Sequence, residues 1–255
     1  MRNGSAIRTI STPWEKRSIG LDAVEIEVLS PSASLEEIYH SSLGFELSTV
    51  RVPIGNLPLV HGLEAKGFRF LESQFSIEIG LSSLSAASSM QAAILRKYVL
   101  AQVRTDEVEL LQGYVKEGLF KTDRIALDPE LGPELANHRY SQWIAEVASK
   151  RIASLQWLMT ASEPPRRAGF IMFQEDGKTV NALLGGVFPQ FQTQGAGLAM
   201  VLRPLHHFAT QGFTNYQTKV SSNNFPVLRL YQDAGFKIHE IVYVMRRLER
   251  RKTNN

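Results

Sequence analysis

The chain contains no cysteine, which excludes disulfides, thiolate nucleophiles and cysteine-based zinc sites. Its six histidines include the neighbours His206 and His207 but form no pair at helical ligand spacing, so no metal site is expected. No stretch is apolar enough for a membrane span, and residues 1–17 are mixed polar and charged rather than the core of a signal peptide. A cytoplasmic protein with no membrane partner is therefore expected. A strong charge bias is missing too: 28 Lys and Arg against 25 Asp and Glu leave a formal net charge of +3. The cationic run from Arg246 to Lys252 reads as a solvated end rather than a nucleic-acid arm.

The most informative absence is local. Between Gly177 and Gln232 there is no Asp or Glu, where an even spread of the acidic residues would place about five or six. In the middle of that gap lies Gln192-Thr193-Gln194-Gly195-Ala196-Gly197. Glycines without a Cβ allow an anion close to the backbone. The apolar positions Leu198, Val201, Leu202, Leu205 and Phe208 start a helix directly after them, so unpaired N–H groups and the positive end of a helix dipole face the same place. The expectation is an anion site at which a side chain on Gly195 or Gly197 would occupy the phosphate's position.

What is present, 44% hydrophobic residues over 255 positions, can build one large core or two small ones. The small-residue run at 82–89 reads as a linker and divides a small α/β half, 1–89, from a larger domain, 90–255. Upstream, strands at 23–28, 46–53 and 68–79 alternate with helices at 35–42, capped by Ser34, and at 57–66. Downstream, a strand at 97–104 precedes a helix with capping spacing at Asp106 to Glu109. Pro133 then opens a helix with Ala136, Tyr140, Trp143 and Val147 on one face. Strands at 153–159, 169–174 and 180–187 follow, the last two joined by a hairpin at Asp176-Gly177. A helix from Gly195 to about Gln211 contains Pro204, expected to kink it. A strand at 216–220, a helix at 225–234 and a strand at 236–247 end the chain. The segment Leu63 to Glu72, with Gly67-Phe68, echoes Tyr231 to Glu240, with Gly235-Phe236. That is either common helix-end chemistry or a half-repeat.

A dinucleotide fold would want glycine where Met200 stands, and a P-loop would want Gly-Lys-Ser/Thr. What remains, Gln192-x-x-Gly195-x-Gly197 after a strand ending Val187-Phe188-Pro189, resembles the cofactor motif of the GNAT superfamily of acyl-CoA-dependent N-acyltransferases. Asn224 to Phe236, with Leu230-Tyr231 and Gly235-Phe236, is similar to a second motif of that superfamily. Trp14, Phe120-Lys-Thr-Asp-Arg124, Asp128-Pro129 and Tyr140-Ser-Gln-Trp143 resemble, more narrowly, the TDP-fucosamine N-acetyltransferases.

The resemblance implies a GNAT fold, a mixed and mostly antiparallel central sheet flanked by helices, with acetyl-CoA as cosubstrate. It implies a small-molecule amine as acceptor, in the narrower match the amino group of a nucleotide-linked sugar, and it allows a homodimer. The residues it places at the cofactor are Gly185, Val187, Gln192, Thr193, Gln194, Gly195, Ala196, Gly197, Leu198 and Asn224, with Tyr231 as general acid. N–H groups near Val187 would meet the thioester carbonyl. The read-out departs from the superfamily in one respect. The loop carries no cation, so charge compensation falls to backbone amides or to Arg203, Lys219 or Arg229. On composition alone Tyr231 reads as a core tyrosine, Asn224 as a helix cap and Gly185-Gly186 as a weak spot in an edge strand, and it is the resemblance that assigns them to the site. The base that takes the amine proton is not identifiable. Competing functions are acetylation of an amino acid, an antibiotic or a protein N-terminus, or acyl-CoA binding without turnover.

Overall fold

The computed structural model describes residues 5–84 and 86–249. Its first elements are β1 (Ile7–Ser11), α1 (Pro13–Ile19), β2 (Ala23–Val28), α2 (Leu35–Ser42), β3 (Leu47–Pro53), α3 (Leu57–Ala65) and β4 (Arg69–Gly80). They are followed by α4 (Ser89–Lys97), β5 (Tyr98–Gln102), α5 (Val108–Lys116), α6 (Pro133–Lys150), β6 (Ser154–Thr160), β7 (Arg167–Asp176) and β8 (Thr179–Val187). The last are α7 (Ala196–Thr210), β9 (Asn215–Ser221), α8 (Phe225–Asp233) and β10 (Lys237–Leu248). Strand pairing is mostly antiparallel, with β2–β3 and β8–β9 running parallel. This is the mixed α/β class expected.

Two compact units form, Met1–Phe75 with Glu240–Asn255, and Ser76–His239. The division falls within β4 and not after residue 89, because strand pairing, rather than the composition of a connecting segment, decides which residues pack together. The small-residue run ends in a helix start that the sequence reading missed. Ser88 accepts from the Gln91 N–H at 3.3 Å while Gln91 Oε1 accepts from the Ser88 N–H at 2.8 Å, a reciprocal cap that opens α4. Downstream, Asp106 does not cap Glu109 as its spacing implied. It bonds Arg104, and a 3-10 turn at Thr105–Glu107 leads into α5.

In the first unit the strands lie in the order β1, β2, β3, β10. Period-two alternation turns Val24, Ile26 and Val28 of β2, Val50 and Val52 of β3 and Met245 of β10 into one core, closed by Ile38 of α2 and Leu59 and Leu63 of α3. Arg246 and Arg247, expected at a solvated end, are buried in β10. The Arg247 guanidinium lies 5.1 Å over the Tyr39 ring, donates to Ser42 Oγ at 3.3 Å and pairs with Glu249. A long arginine stem can be buried when its head is satisfied in this way. Residues 250–252 of the basic run lie outside the described residues.

In the second unit the order is β9, β8, β7, β6, β5, with helices on both faces. A Cβ on Gly169 of β7 would lie 2.7 Å from Met200 of α7. On the opposite pleat a Cβ on Gly186 would lie 2.7 Å from Leu119, just past α5, and Phe170 meets Phe120 edge-on at 6.4 Å.

The internal echo is a repeat of path as well as of sequence. One constant separation carries Leu47 to Asn215, Pro53 to Ser221, Leu57 to Phe225 and Ala65 to Asp233, the bounds of a strand and a helix in each unit. Gly67 (φ 89°) donates to Glu64 O at 3.0 Å and Phe68 to Leu63 O at 3.0 Å. Gly235 (φ 93°) donates to Gln232 O at 2.9 Å and Phe236 to Tyr231 O at 3.1 Å. Both are Schellman ends closed by a left-handed glycine. The common helix-end reading does not account for the matched strand, helix and parallel pairing together.

Candidate active site

β8 pairs with β7 as far as Gly169↔Val187, but with β9 only from Thr179↔Asn215 to Ala182↔Thr218. The register shifts between Met172 and Phe173, whose partners are Leu184 and Ala182, so Leu183 is the extra residue of a bulge. Beyond Ala182 the two strands part while both continue. The Phe188 N–H donates to Ala168 O at 2.9 Å, on the β7 side. Because backbone N–H groups alternate along a strand, those of Val187 and Gly185 face the opposite side, toward the gap. β8 is thus an interior strand, and its paired glycines are not a weak spot at an edge.

After β8 the chain is locked down by apolar anchors. Phe188 is buried and stacked on Tyr114 at 4.2 Å, and Phe191 is buried beneath the Arg166 guanidinium at 4.8 Å. Gln192 Nε2 donates to Val187 O at 3.4 Å, and Gln194 Nε2 to Gln190 O at 2.7 Å. Gly195 (φ 82°) is the N-cap of α7, and no side chain caps it. The first intrahelical bond runs from Ala199 N–H to Gly195 O at 3.0 Å, so the N–H groups of Ala196, Gly197 and Leu198 have no acceptor within the helix. Ala196 is fully buried and can offer a ligand only its N–H, whereas Thr193 is exposed.

The glycines act differently from the expectation. A Cβ on Gly195 would lie 2.3 Å from Ile94 Cδ1 of α4, and one on Gly197 would lie 3.3 Å from Leu230 Cδ1 of α8. Their missing side chains admit neighbouring helices, and Gly195 also supplies the left-handed backbone.

Two residues that the sequence reading missed touch the loop. Lys97 Nζ and Tyr98 OH both donate to Gln194 O, at 3.2 and 3.0 Å. The peptide is planar and trans, so fixing this carbonyl on one side directs the Gly195 N–H to the other. Lys97 also brings a cation to a loop that carries none of its own. Arg229 instead faces Asp233 at 4.0 Å on an exposed helix surface, and Arg203 stands roughly 10 Å along α7 from its start. No local pattern marks Lys97, because only packing brings the end of α4 to this loop.

Tyr231 of α8 is buried against Phe236, with ring centroids 4.7 Å apart. Burial pushes its phenol up to about 12, with a hydrogen bond to Thr218 working against the rise. Thr218 Oγ1 donates to Ala182 O at 2.9 Å. Thr218 is the β9 member of the last β8–β9 pair, where the strands part. Asn224 stands at the start of α8, but its side chain makes no capping bond. The matching Asn56 accepts from Leu59 N–H at 3.4 Å and caps α3.

No basic partner emerges among the other candidates. His207 lies near the far end of α7, 3.2 Å from Gln211 Nε2. Glu107 is held down to about 2, first by the Arg104 N–H and then by Arg167 and Trp157, so it is a poor proton acceptor. No cluster able to hold a metal occurs among the described residues, and no helix among them is long and apolar enough to cross a membrane. A cleft of about 690 Å³ lined by Arg104, Arg151, Phe173 and Glu175 lies toward the other end of β7, away from the gap.

No protein-family model matches the chain, and no curated protein matches it in sequence. Solved structures do match. A GCN5-related N-acetyltransferase from Sphaerobacter thermophilus superposes with a TM-score of 0.59 over 95% of this chain and 76% of its own, at 12% identity. The fold is the GNAT fold. A tandem GNAT protein of the clavulanic acid biosynthesis pathway matches at TM-score 0.53 and 10% identity, over 89% of this chain and 75% of its own. A fungal GCN5-related glucosamine N-acetyltransferase region matches at TM-score 0.60 and 12% identity, over 94% of this chain and 31% of that multi-domain protein. Within the GNAT fold, the parting of β8 and β9, the loop before α7 and the start of α8 belong to one compact unit. The narrower likeness to TDP-fucosamine N-acetyltransferases has no counterpart among these three structures.

Proposed function

We propose that the chain transfers an acetyl group from acetyl-CoA to a primary amine. The observation that carries this reading is the gap opening at Ala182↔Thr218, with the buried Tyr231 phenol beside it on α8, packed on Phe236. The residues present fit the donor. A backbone edge freed of its partner strand can hydrogen-bond an extended, amide-containing arm, and the N–H groups of Gly195 to Leu198, backed by Lys97, suit its phosphates. Asn224, uncapping, keeps its amide for the ligand. The thioester carbonyl would take its hydrogen bond from the Val187 N–H, which stabilises charge that develops on that oxygen during attack.

The amine attacks directly, so no protein nucleophile is required. Tyr231 shares its proton with the departing sulfur. Against a thiol of about 8.5, a phenol at about 12 faces roughly 5 kcal/mol for outright transfer. The proton is therefore shared as the C–S bond breaks, and burial of the sulfur narrows the gap. The first unit makes the contrast, since Leu63 takes the place of Tyr231 there, fully buried in that unit's core. A module that only bound the carrier would have no use for the phenol, which argues against the non-catalytic alternative.

For the acceptor, we favour an amino sugar on a nucleotide carrier. Asn137 clamps the Phe120 N–H and C=O at 2.9 and 3.1 Å, and Tyr140 OH bonds Asp123 at 2.5 Å. These bonds hold the segment carrying Lys121 and Arg124 beside Gly186, and the fungal glucosamine acetyltransferase region has a similar fold. The test follows from the lack of cysteine: a thiol-reactive dye reports only released CoA. A panel comparing a nucleotide-linked 4-amino-deoxysugar, the free sugar, amino acids and peptides should give fastest release with the first. Equal rates for free and linked sugar, or a faster amino acid or peptide, would overturn the acceptor; no release with any amine would overturn the enzyme.

A further inference from the structure

We propose that the chain forms a two-fold homodimer in which β5 of one copy pairs antiparallel with β5 of a second. β5 is the last strand in the order of the second unit, and its ladder runs only to β6. The register fixes which of its backbone groups are taken. Ala161 N–H donates to Lys97 O at 2.8 Å and Val103 N–H to Leu155 O at 2.9 Å, and Tyr98 to Gln102 pair with Thr160 to Gln156 in step with them. In an antiparallel pair alternate residues exchange both bonds, so Val99 and Ala101 direct theirs to β6, while the N–H and C=O of Tyr98, Leu100 and Gln102 face outward. Among the described residues nothing else bonds these outward groups.

The outward pattern is self-complementary. A two-fold axis through Leu100 sets that residue opposite its own copy and Tyr98 opposite Gln102 of the second copy, so every outward N–H meets an outward C=O. Nothing along the strand opposes the pairing, because Tyr98-Val99-Leu100-Ala101-Gln102 holds no charge and no proline. By contrast β1, the edge strand of the first unit, carries the exposed Arg8, the kind of residue that guards an open edge. Val99, 40% exposed, would pack on Ala101 of the second copy. A pair of five-residue strands is marginal in water, and α4 supplies further surface. It packs on α7 and β5 and carries Met90, Ala92, Ala93, Ile94 and Leu95, yet none of its residues is fully buried, and Met90 is 66% exposed. A two-fold axis normal to the sheet keeps each face on its own side, so the two α4 helices flank the joint together and cover each other's apolar side chains.

Sedimentation equilibrium should give a mass twice that of the chain, falling toward the single mass on dilution. Val99→Lys places two ammonium groups diagonally across the joint, within reach of each other, and should raise the dimer Kd about tenfold with Tm nearly unchanged, since Val99 is exposed in the single chain. Val99→Glu should act in the same way, and mixing the two variants should restore pairing by joining opposite charges. A wild-type chain of single mass, a dimer that both variants leave intact, or variants that mixing does not restore would overturn the proposal. Hydrogen exchange checks it without a substitution. The amides of Tyr98, Leu100 and Gln102 should be protected in the dimer and exchange faster as it is diluted. Fast exchange at these amides in a protein of double mass would put the interface elsewhere and refute this one. Neither readout involves CoA or an amine, so the dimer stands or falls apart from the enzymatic reading.

Discussion

Replacing Lys97 by methionine should weaken CoA binding while leaving the fold intact. The side chain is exposed at the end of α4, and its ammonium lies 3.2 Å from Gln194 O. A phosphate oxygen accepting from the Gly195 N–H, across the same peptide, would stand roughly 7 Å from that charge by standard backbone and hydrogen-bond dimensions. At that separation a charge pair contributes about 0.6 kcal/mol in water and about 2.4 kcal/mol at an effective dielectric of 20. The exposed position favours the lower part of that range. A loss of about 1 kcal/mol raises Kd roughly fivefold. Calorimetric titration with CoA in low salt should show this loss, shrinking as added salt shortens the screening length. Lys97→Arg should recover most of the affinity, and acetyl-pantetheine, which lacks the phosphates, should bind both proteins alike. Equal CoA affinity in Lys97→Met, or an equal loss with acetyl-pantetheine, would refute the reasoning, and an active enzyme would then owe its phosphate binding to backbone amides alone.

Tyr231→Phe should lower kcat by about 10²–10⁴-fold with CoA affinity unchanged, since only the proton donor is deleted; wild-type turnover in the variant would move the acid elsewhere. Glu107, held at about 2 against an ordinary 4.5, stabilises the fold fully above pH 4.5 and loses that contribution as pH falls toward 2. Glu107→Gln should therefore lower the urea midpoint at pH 7 and flatten its decline in acid, and parallel acid limbs for the two proteins would count against the cluster. Gly169→Ala should destabilise by about 1–3 kcal/mol, because the new Cβ would meet Gly186 O at 2.4 Å and backbone cannot yield cheaply. An unchanged Tm would show that β7 and β8 shift apart at little cost.

Much of the site was legible because its signals are local. The acid-free stretch, the Gly195-x-Gly197 turn into an apolar helix and the Asn224 to Phe236 segment each lie within a few residues of one another. Alternation and capping likewise located α2, α6 and the hairpin at Gly177, since a helix start or a tight turn is dictated by the residues that form it. Tertiary structure alone decided the rest. The Leu183 bulge and the end of pairing at Ala182 depend on how β7 and β9 align with β8, not on the sequence of β8 itself. Lys97 and Tyr98 reach Gln194 O only because α4 packs on α7, almost a hundred residues away along the chain. Arg247 is buried because β10 pairs with β3, where its charge finds Tyr39 and Ser42. Local backbone preferences act over a few residues and can be read from sequence, whereas an edge left unpaired exists only once distant segments have met.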